Sequence, residues 1–223
     1  EAQAFGYAES DPSNDVEGLD AAYKLTILAS LAFHTKVVLE DVYYEGITHL
    51  VSRDFRYAKE LGYGIKLLAI AKREGEELQL RVHPALIPVE SPIAKVDGVD
   101  NAIEIEGDLV GRVVFQGQGA GAKPTASAVI ANLIEVVQRI DSRAWAPAPI
   151  TAKSEIPVKK MANLETCYYI RLFALDRAGV LAQIAQILGD RDISIASVIQ
   201  KDADLDTKSA EIVIMTHPAV EFA

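Results

Sequence analysis

The sequence predicts an α+β fold in two parts: a mixed-sheet domain with packed helices, then a smaller β-α-β-β unit. Three observations predict it. Two hairpin signatures lie between apolar helical stretches in the first two-thirds of the chain. A segment rich in proline and alanine, residues 145–150, has low propensity for helix or strand and continues into polar residues up to Lys160. Beyond it, alternating apolar segments flank one amphipathic helical segment. The boundaries that follow are 1–145 for the first domain, 146–162 for a linker and 163–223 for the second domain.

Taken in order, residues 25–33 (LTILASLAF) read as a helix with almost no polar face, which predicts burial. Residues 36–48 alternate short strand-like and turn pieces. Residues 53–61 read as a short helix with Ser52 as N-cap and Gly62 past its end. Residues 65–73 and 78–83 flank Glu74-Gly75-Glu76-Glu77 as one hairpin. Residues 102–106 and 111–115 flank Gly107-Asp108 as another. Gly117-Gln118-Gly119-Ala120-Gly121 then leads into an apolar helix over 124–140, with Pro124 at its first turn. In the second unit, residues 167–175 alternate as a strand. Residues 177–189 form a helix with Val180, Leu181, Ile184, Ile187 and Leu188 on one side. Residues 193–201 and 208–216 read as two further strands. That order is the first two-thirds of a ferredoxin-like unit, so one sheet edge is left open or filled by a partner chain.

Composition narrows the function classes. The chain has 223 residues, half of them apolar and about a quarter charged, which is ordinary for a globular protein. An excess of 32 acidic over 22 basic residues, net −10, argues against nucleic acid as a partner. Cys167 is the single cysteine, so no intrachain disulfide forms and a reducing, cytoplasmic setting is expected. No apolar run reaches the roughly 18 residues of a membrane span, so no membrane partner is expected. His34, His49, His83 and His217 are scattered without ligand spacing, and no metal site is expected. The chain opens on Glu1 and closes where a helix would be starting, so it reads as a fragment of a longer polypeptide.

The chemistry-bearing stretch is residues 4–24, AFGYAESDPSNDVEGLDAAYK. It gathers Glu9, Asp11, Asp15, Glu17, Asp20 and Lys24 around the turn formers Pro12 and Gly18. Asp20 and Lys24 stand four residues apart and share one helix face. Spacing alone favours an ordinary surface ion pair at a helix start. However, Ala4, Gly6, Asp11-Pro12, Asp15, Gly18, Asp20 and Lys24, the last six in a D-P-x2-D-aliphatic-x-G-x-D-x3-K pattern, resemble the fixed residues of the homoserine dehydrogenase signature. That resemblance implies interconversion of L-aspartate 4-semialdehyde and L-homoserine with NADP or NAD as cofactor. It implies that Lys24 donates the proton to the carbonyl oxygen with Asp20 as its partner, and that Glu9 and Asp15 bind the substrate's amino group. It also implies a homodimer or higher homo-oligomer, built on a catalytic and dimerisation domain.

The glycine run from 117 to 121 sits between a strand and a helix N-terminus, where backbone N–H groups can face a phosphate or a carboxamide. Its G-x-G-x-G spacing is not the dinucleotide fingerprint, and on the residues alone a tight turn is the better account. Gly119-Ala120-Gly121 with Pro124-Thr125-Ala126 resembles the family's second block. The resemblance implies that Gly121, and with it Gly119, binds the cofactor. The family's nucleotide-binding domain precedes the signature and is not in this sequence, so the chain alone is expected to be inactive.

In the second unit, Asp176-Arg177-Ala178-Gly179-Val180-Leu181-Ala182, followed by Ile193-Ser194-Ile195 and Gln200, resembles an ACT domain, here incomplete. The resemblance implies binding of a small amino acid, with L-threonine the expected effector, at a corner shaped by Asp176 and Gly179. On the residues alone, Asp176 as a helix cap and Gly179 as a packing glycine fit as well. A dimerising, amino-acid-sensing module without catalysis is the alternative function.

Overall fold

The computed structural model describes residues 11–141, 155–201 and 208–221. The elements run α1 (Ser13–Val16), α2 (Leu19–Phe33), β1 (Tyr43–Tyr44), α3 (Ser52–Glu60), β2 (Tyr63–Glu74) and β3 (Glu77–Pro88). They continue as β4 (Asp100–Gly107), β5 (Gly111–Gln118), α4 (Ala122–Asp141), β6 (Glu165–Thr166) and β7 (Tyr169–Leu175). The last are α5 (Val180–Gly189), β8 (Ile195–Gln200), β9 (Ser209–Thr216) and β10 (Ala219–Val220). The class is α+β, as the sequence predicts. Two compact units divide the chain. One comprises residues 1–70 and 82–155, the other 71–81 and 156–223. The tip of the β2–β3 hairpin therefore belongs to the second unit.

In the first unit, β3 is the middle strand of a three-stranded sheet ordered β1-β3-β2. The β4–β5 hairpin is a separate antiparallel pair running from Asp100↔Gln118 to Gly107↔Gly111. Its alternation is inverted: Ile103, Ile105 and Phe115 are exposed, whereas Glu104 is half-buried and paired with Arg112 at 3.3 Å. The helix expected to be buried is not. α2 buries the stripe Ala22, Leu25 and Ala29, while Ile27, Leu28 and Leu31 stay exposed. Spacing of three and four residues puts one stripe of a helix in contact, and an apolar residue off that stripe has nothing to pack on. The cap of α3 also differs. Its first helical residue is Ser52, and the Asp54 carboxylate accepts the Val51 N–H at 2.9 Å, with Asp54 itself only 2% exposed. A carboxylate at the third helical position can reach back to the free amide of the residue before the helix, and here Asp54 does so.

The second unit holds a three-stranded antiparallel sheet ordered β7-β9-β8. The central strand β9 supplies most of the core, with Ile212, Val213 and Ile214 at 2% exposure or less. On α5 the inward residues are Val180, Ile184 and Leu188, at four-residue spacing; Leu181 and Ile187 face outward instead. The tip of the β2–β3 hairpin is pinned to the segment after residue 155 by two backbone bonds. Leu78 N–H donates to Pro157 (2.9 Å), and Lys159 N–H donates to Leu78 (2.8 Å). Leu78 is fully buried beside them. The neighbouring Gln79 is buried with both ends of its amide used, donating to Glu74 and accepting from Arg81, each at 2.7 Å. Where the sequence suggests a helix starting near the end, residues 219–220 form β10 and pair with β6, Ala219 opposite Thr166. Pro218 has no N–H to donate, and pairing satisfies the backbone just after it.

The Tyr168 hydroxyl is buried without a hydrogen-bond partner among the described residues. Burial raises its ionisation above the ordinary tyrosine range, Glu221 adds to this, and the Arg81 guanidinium opposes it. The neutral phenol is thus the form the fold prefers. Its contribution to stability is complete below about pH 10 and is lost as the pH rises through the raised value. Tyr168→Phe is expected to stay within about 1 kcal/mol of the parent at neutral pH. In an absorbance titration at alkaline pH, it is expected to remove one phenol that ionises above the ordinary tyrosine range.

Candidate active site and effector corner

The signature residues build a corner at the start of α2. Asp11 Oδ1 accepts the Ser13 N–H at 3.1 Å and also the Ser13 hydroxyl, and these bonds hold its carboxyl below the usual carboxylate range. The turn so formed opens the single helical turn of α1, where Asp15 N–H donates to the Pro12 carbonyl. Asp15 keeps its carboxylate exposed. Gly18 then reverses the chain with φ of 79° and caps α2, its N–H donating to Asp15 O at 3.3 Å. Two residues on, Asp20 lies in the first turn of α2. Its Oδ2 pairs with Lys24 Nζ at 2.5 Å, one turn along the same face, with the lysine side chain 69% exposed. Glu9 lies outside the described residues.

This corner is held by a segment that the motif does not include. The Ile47 N–H donates to Val16 O at 2.8 Å and the Glu45 N–H to Val82 O at 2.8 Å, so residues 45–47 bridge β3 and α1. Between them, a Cβ at Gly46 would lie 2.1 Å from Val16 O and 2.4 Å from Glu17 Cα. Only glycine allows the two backbones to approach so closely. Sequence reasoning misses Gly46; its signal is an isolated glycine after the strand-like Tyr43-Tyr44.

The glycine loop joins β5 to α4. Gly121 has φ of 114°, and its carbonyl accepts the Thr125 N–H at 3.1 Å as α4 begins. Pro124 falls within the first turn of that helix, where its missing N–H costs nothing. Gly117 has open space where a side chain would project. Backbone without side chains at Gly117, Gly119 and Gly121 thus leads into the N-terminal end of a 20-residue helix, whose first N–H groups can donate to an anion or a carboxamide.

In the second unit, Asp176 does not cap α5. The N-cap is Gly179, with φ of 90°, and the helix begins at Val180 rather than Arg177. The Asp176 N–H instead donates to Lys208 O at 2.9 Å, and its carboxylate lies 3.5 Å from Gln200 Nε2. The structure thus brings Asp176 and Gln200 to one corner beside Gly179, with Asp176 and Gly179 exposed. Among the described residues, no group of three His, Cys, Asp or Glu could hold a metal ion. No helix among them is long and apolar enough to cross a membrane.

An acidic turn leading into a helix with a lysine–carboxylate pair, and a glycine loop ahead of a long helix, lie in the first unit, and a β-α-β-β fold makes up most of the second. The homoserine dehydrogenase family model matches residues 1–134, and the ACT domain model matches residues 168–221. The chain belongs to the homoserine dehydrogenase family. It is 46% identical over 229 residues to a homoserine dehydrogenase of Neisseria gonorrhoeae, an alignment covering 99% of this chain and 52% of that protein. Over the same shares, it is 46% identical to one from Pseudomonas aeruginosa. The crystal structure of a homoserine dehydrogenase from Thiobacillus denitrificans superposes with a TM-score of 0.88 at 45% identity, covering 99% of this chain and 51% of that one. The chain spans about half the length of the curated relatives it matches.

The crossing at Gly46 carries a prediction. Gly46→Ala is expected to destabilise the first unit by about 1–3 kcal/mol, because the methyl group displaces the backbone at Val16 and Glu17. Denaturant unfolding measures the loss. Gly62→Ala serves as a control free of any clash, since nothing lies within 4 Å of its Cβ position, although its own φ of 84° carries some strain.

Proposed function

We propose that this chain supplies the substrate side of a homoserine dehydrogenase active site, interconverting L-aspartate 4-semialdehyde and L-homoserine. The observation that carries the reading is the Asp20–Lys24 pair at 2.5 Å at the start of α2, with an ammonium open to a substrate. Reduction of an aldehyde leaves an alkoxide. Lys24 stabilises that charge and gives it a proton from Nζ, and Asp20 holds the ammonium in place for the transfer. Asp15, and Glu9 with it, accept hydrogen bonds from the substrate's α-ammonium group. The Gly119 and Gly121 loop holds part of the cofactor, NADP or NAD, which when bound supplies or takes up the hydride. The catalytic and substrate domain occupies 1–145 and the ACT domain 163–223.

The exposed apolar face formed by Ile103, Ile105 and Phe115 supports assembly with a second copy, as a homodimer or larger homo-oligomer. The single cysteine, free and exposed, suits a reducing cytoplasm. A second reading, an amino-acid-sensing module, is favoured by the Asp176, Gly179 and Gln200 corner. In the first reading that corner is the enzyme's regulatory site, with L-threonine as effector.

In a polypeptide extended to the full length of the relatives, Lys24→Ala is expected to lower homoserine oxidation about 10²–10³-fold while circular dichroism stays unchanged. A rate within about twofold of the parent would remove Lys24 from the chemistry and leave the sensing module as the working function. For the effector, calorimetric titration with L-threonine is expected to show binding that Gly179→Asp abolishes. Absence of binding by the parent rejects threonine.

A further inference from the structure

The loop between β5 and α4 has a neighbour outside both signature blocks. In the β4–β5 ladder, Asn101 stands opposite Gly117, and the pairing ends one residue later at Asp100↔Gln118. Side chains alternate along a strand, so Asn101 shares its face with Ile103 and Ile105, and Phe115 stands across from Ile103. That face is apolar except at its loop end, where the asparagine breaks the pattern. Its side chain occupies the space beside Gly119. A Cβ built at Gly119 would lie 1.8 Å from Asn101 Nδ2, 2.7 Å from Cγ and 3.3 Å from Cβ. The amide nitrogen and its carbon therefore occupy the position. No residue but glycine can stand at 119 while Asn101 keeps its place. Beyond Gln118 there is no ladder to fix the loop, so this packing sets how near Gly119 comes to β4. A Cβ at Gly117, across from Asn101, would meet nothing within 4 Å.

We propose that Asn101 is a positioning residue for the cofactor loop. Its side chain is a wedge that sets the distance of Gly119–Gly121 from β4, and so the direction in which the loop backbone and the first turn of α4 face the dinucleotide. The inference rests on the reading of Gly119 and Gly121 as cofactor-binding. It adds a residue that touches the loop rather than the reacting atoms.

The test is steady-state kinetics in the polypeptide extended to the relatives' full length, with NADP and NAD run in parallel. Asn101→Ala is expected to raise the KM for the dinucleotide about five- to tenfold. The kcat and the KM for L-homoserine are expected to stay within about twofold, with the melting temperature unchanged. Gly119→Ala is expected to raise the same KM. The double variant Asn101→Ala, Gly119→Ala is expected to recover part of that loss, because removing the amide makes room for the methyl group. If Gly119→Ala and Gly121→Ala raise the dinucleotide KM but Asn101→Ala does not, the wedge is wrong and the loop reading survives. No effect from any of the three overturns the loop reading, and the wedge with it. A fall in melting temperature with equal changes for both substrates makes Asn101 a plain structural residue and also overturns the proposal.

Discussion

Strand β3 is the constraint on which the rest of the structure depends. Leu78, Leu80 and Val82 are all buried, and each of its two ends organises a different cluster. Its residues up to Arg81 belong to the second unit, where Leu78 exchanges backbone bonds with Pro157 and Lys159. From Val82 on it belongs to the first unit, where the Val82 carbonyl takes the Glu45 N–H. Residues 45–47 then pass the constraint to α1 through the Ile47 to Val16 bond, and the Cβ of any larger residue at 18 would meet Glu45 O at 3.2 Å and Val82 Cγ1 at 3.4 Å. A buried strand with satisfied backbone groups is costly to shift. The turn that starts α2 is thereby fixed from outside the signature that names it.

Much of this was legible in the sequence, and what was not has identifiable causes. Both hairpins, the glycine loop, α4 and the β-α-β-β order rest on local signals: turn residues, alternation, and proline near a helix start. Asp20 and Lys24 meet because i and i+4 on a helix must. Burial of α2 was misjudged because an all-apolar segment reports what it could bury, not which neighbours are present to cover it. Ile27 at 59% exposure is the result. The start of α3 differs because Val51, not Ser52, stands at the cap, and the Asp54 carboxylate reaches back to the Val51 N–H. Gly46 and Asn101 were invisible for another reason. Each matters through a contact with a segment distant in sequence, and no local pattern records that.

The apolar surface left outward has a bearing on the proposed assembly. α4 carries Val129, Ile130, Leu133, Ile134, Val136, Val137 and Ile140, each more than half exposed. A helix apolar on more than one side is at home inside a larger structure rather than in water. The β4–β5 face is of the same kind. These elements lead into and out of the glycine loop, so the surfaces that most need covering adjoin the loop proposed to bind the cofactor.

The lysine–carboxylate pair is better understood through what it does not do for stability. An exposed i, i+4 pair contributes about 0.3–0.5 kcal/mol, and Lys24 is largely in solvent within the first unit. Removing it therefore costs the fold little. The pair's value lies in geometry: the Asp20 carboxylate draws the ammonium to one side of α2 and leaves its remaining donors free. A buried, fully satisfied lysine could not hand a proton to a substrate without first losing its partners. A lysine with no carboxylate beside it would sample many rotamers and be in place only part of the time. The corner fixed by Gly18 and Gly46 holds the helix, the helix sets Asp20 one turn from Lys24, and the carboxylate biases the ammonium toward one side with donors to spare. In the proposed reaction, a bound substrate would have to complete that placement before the proton is transferred.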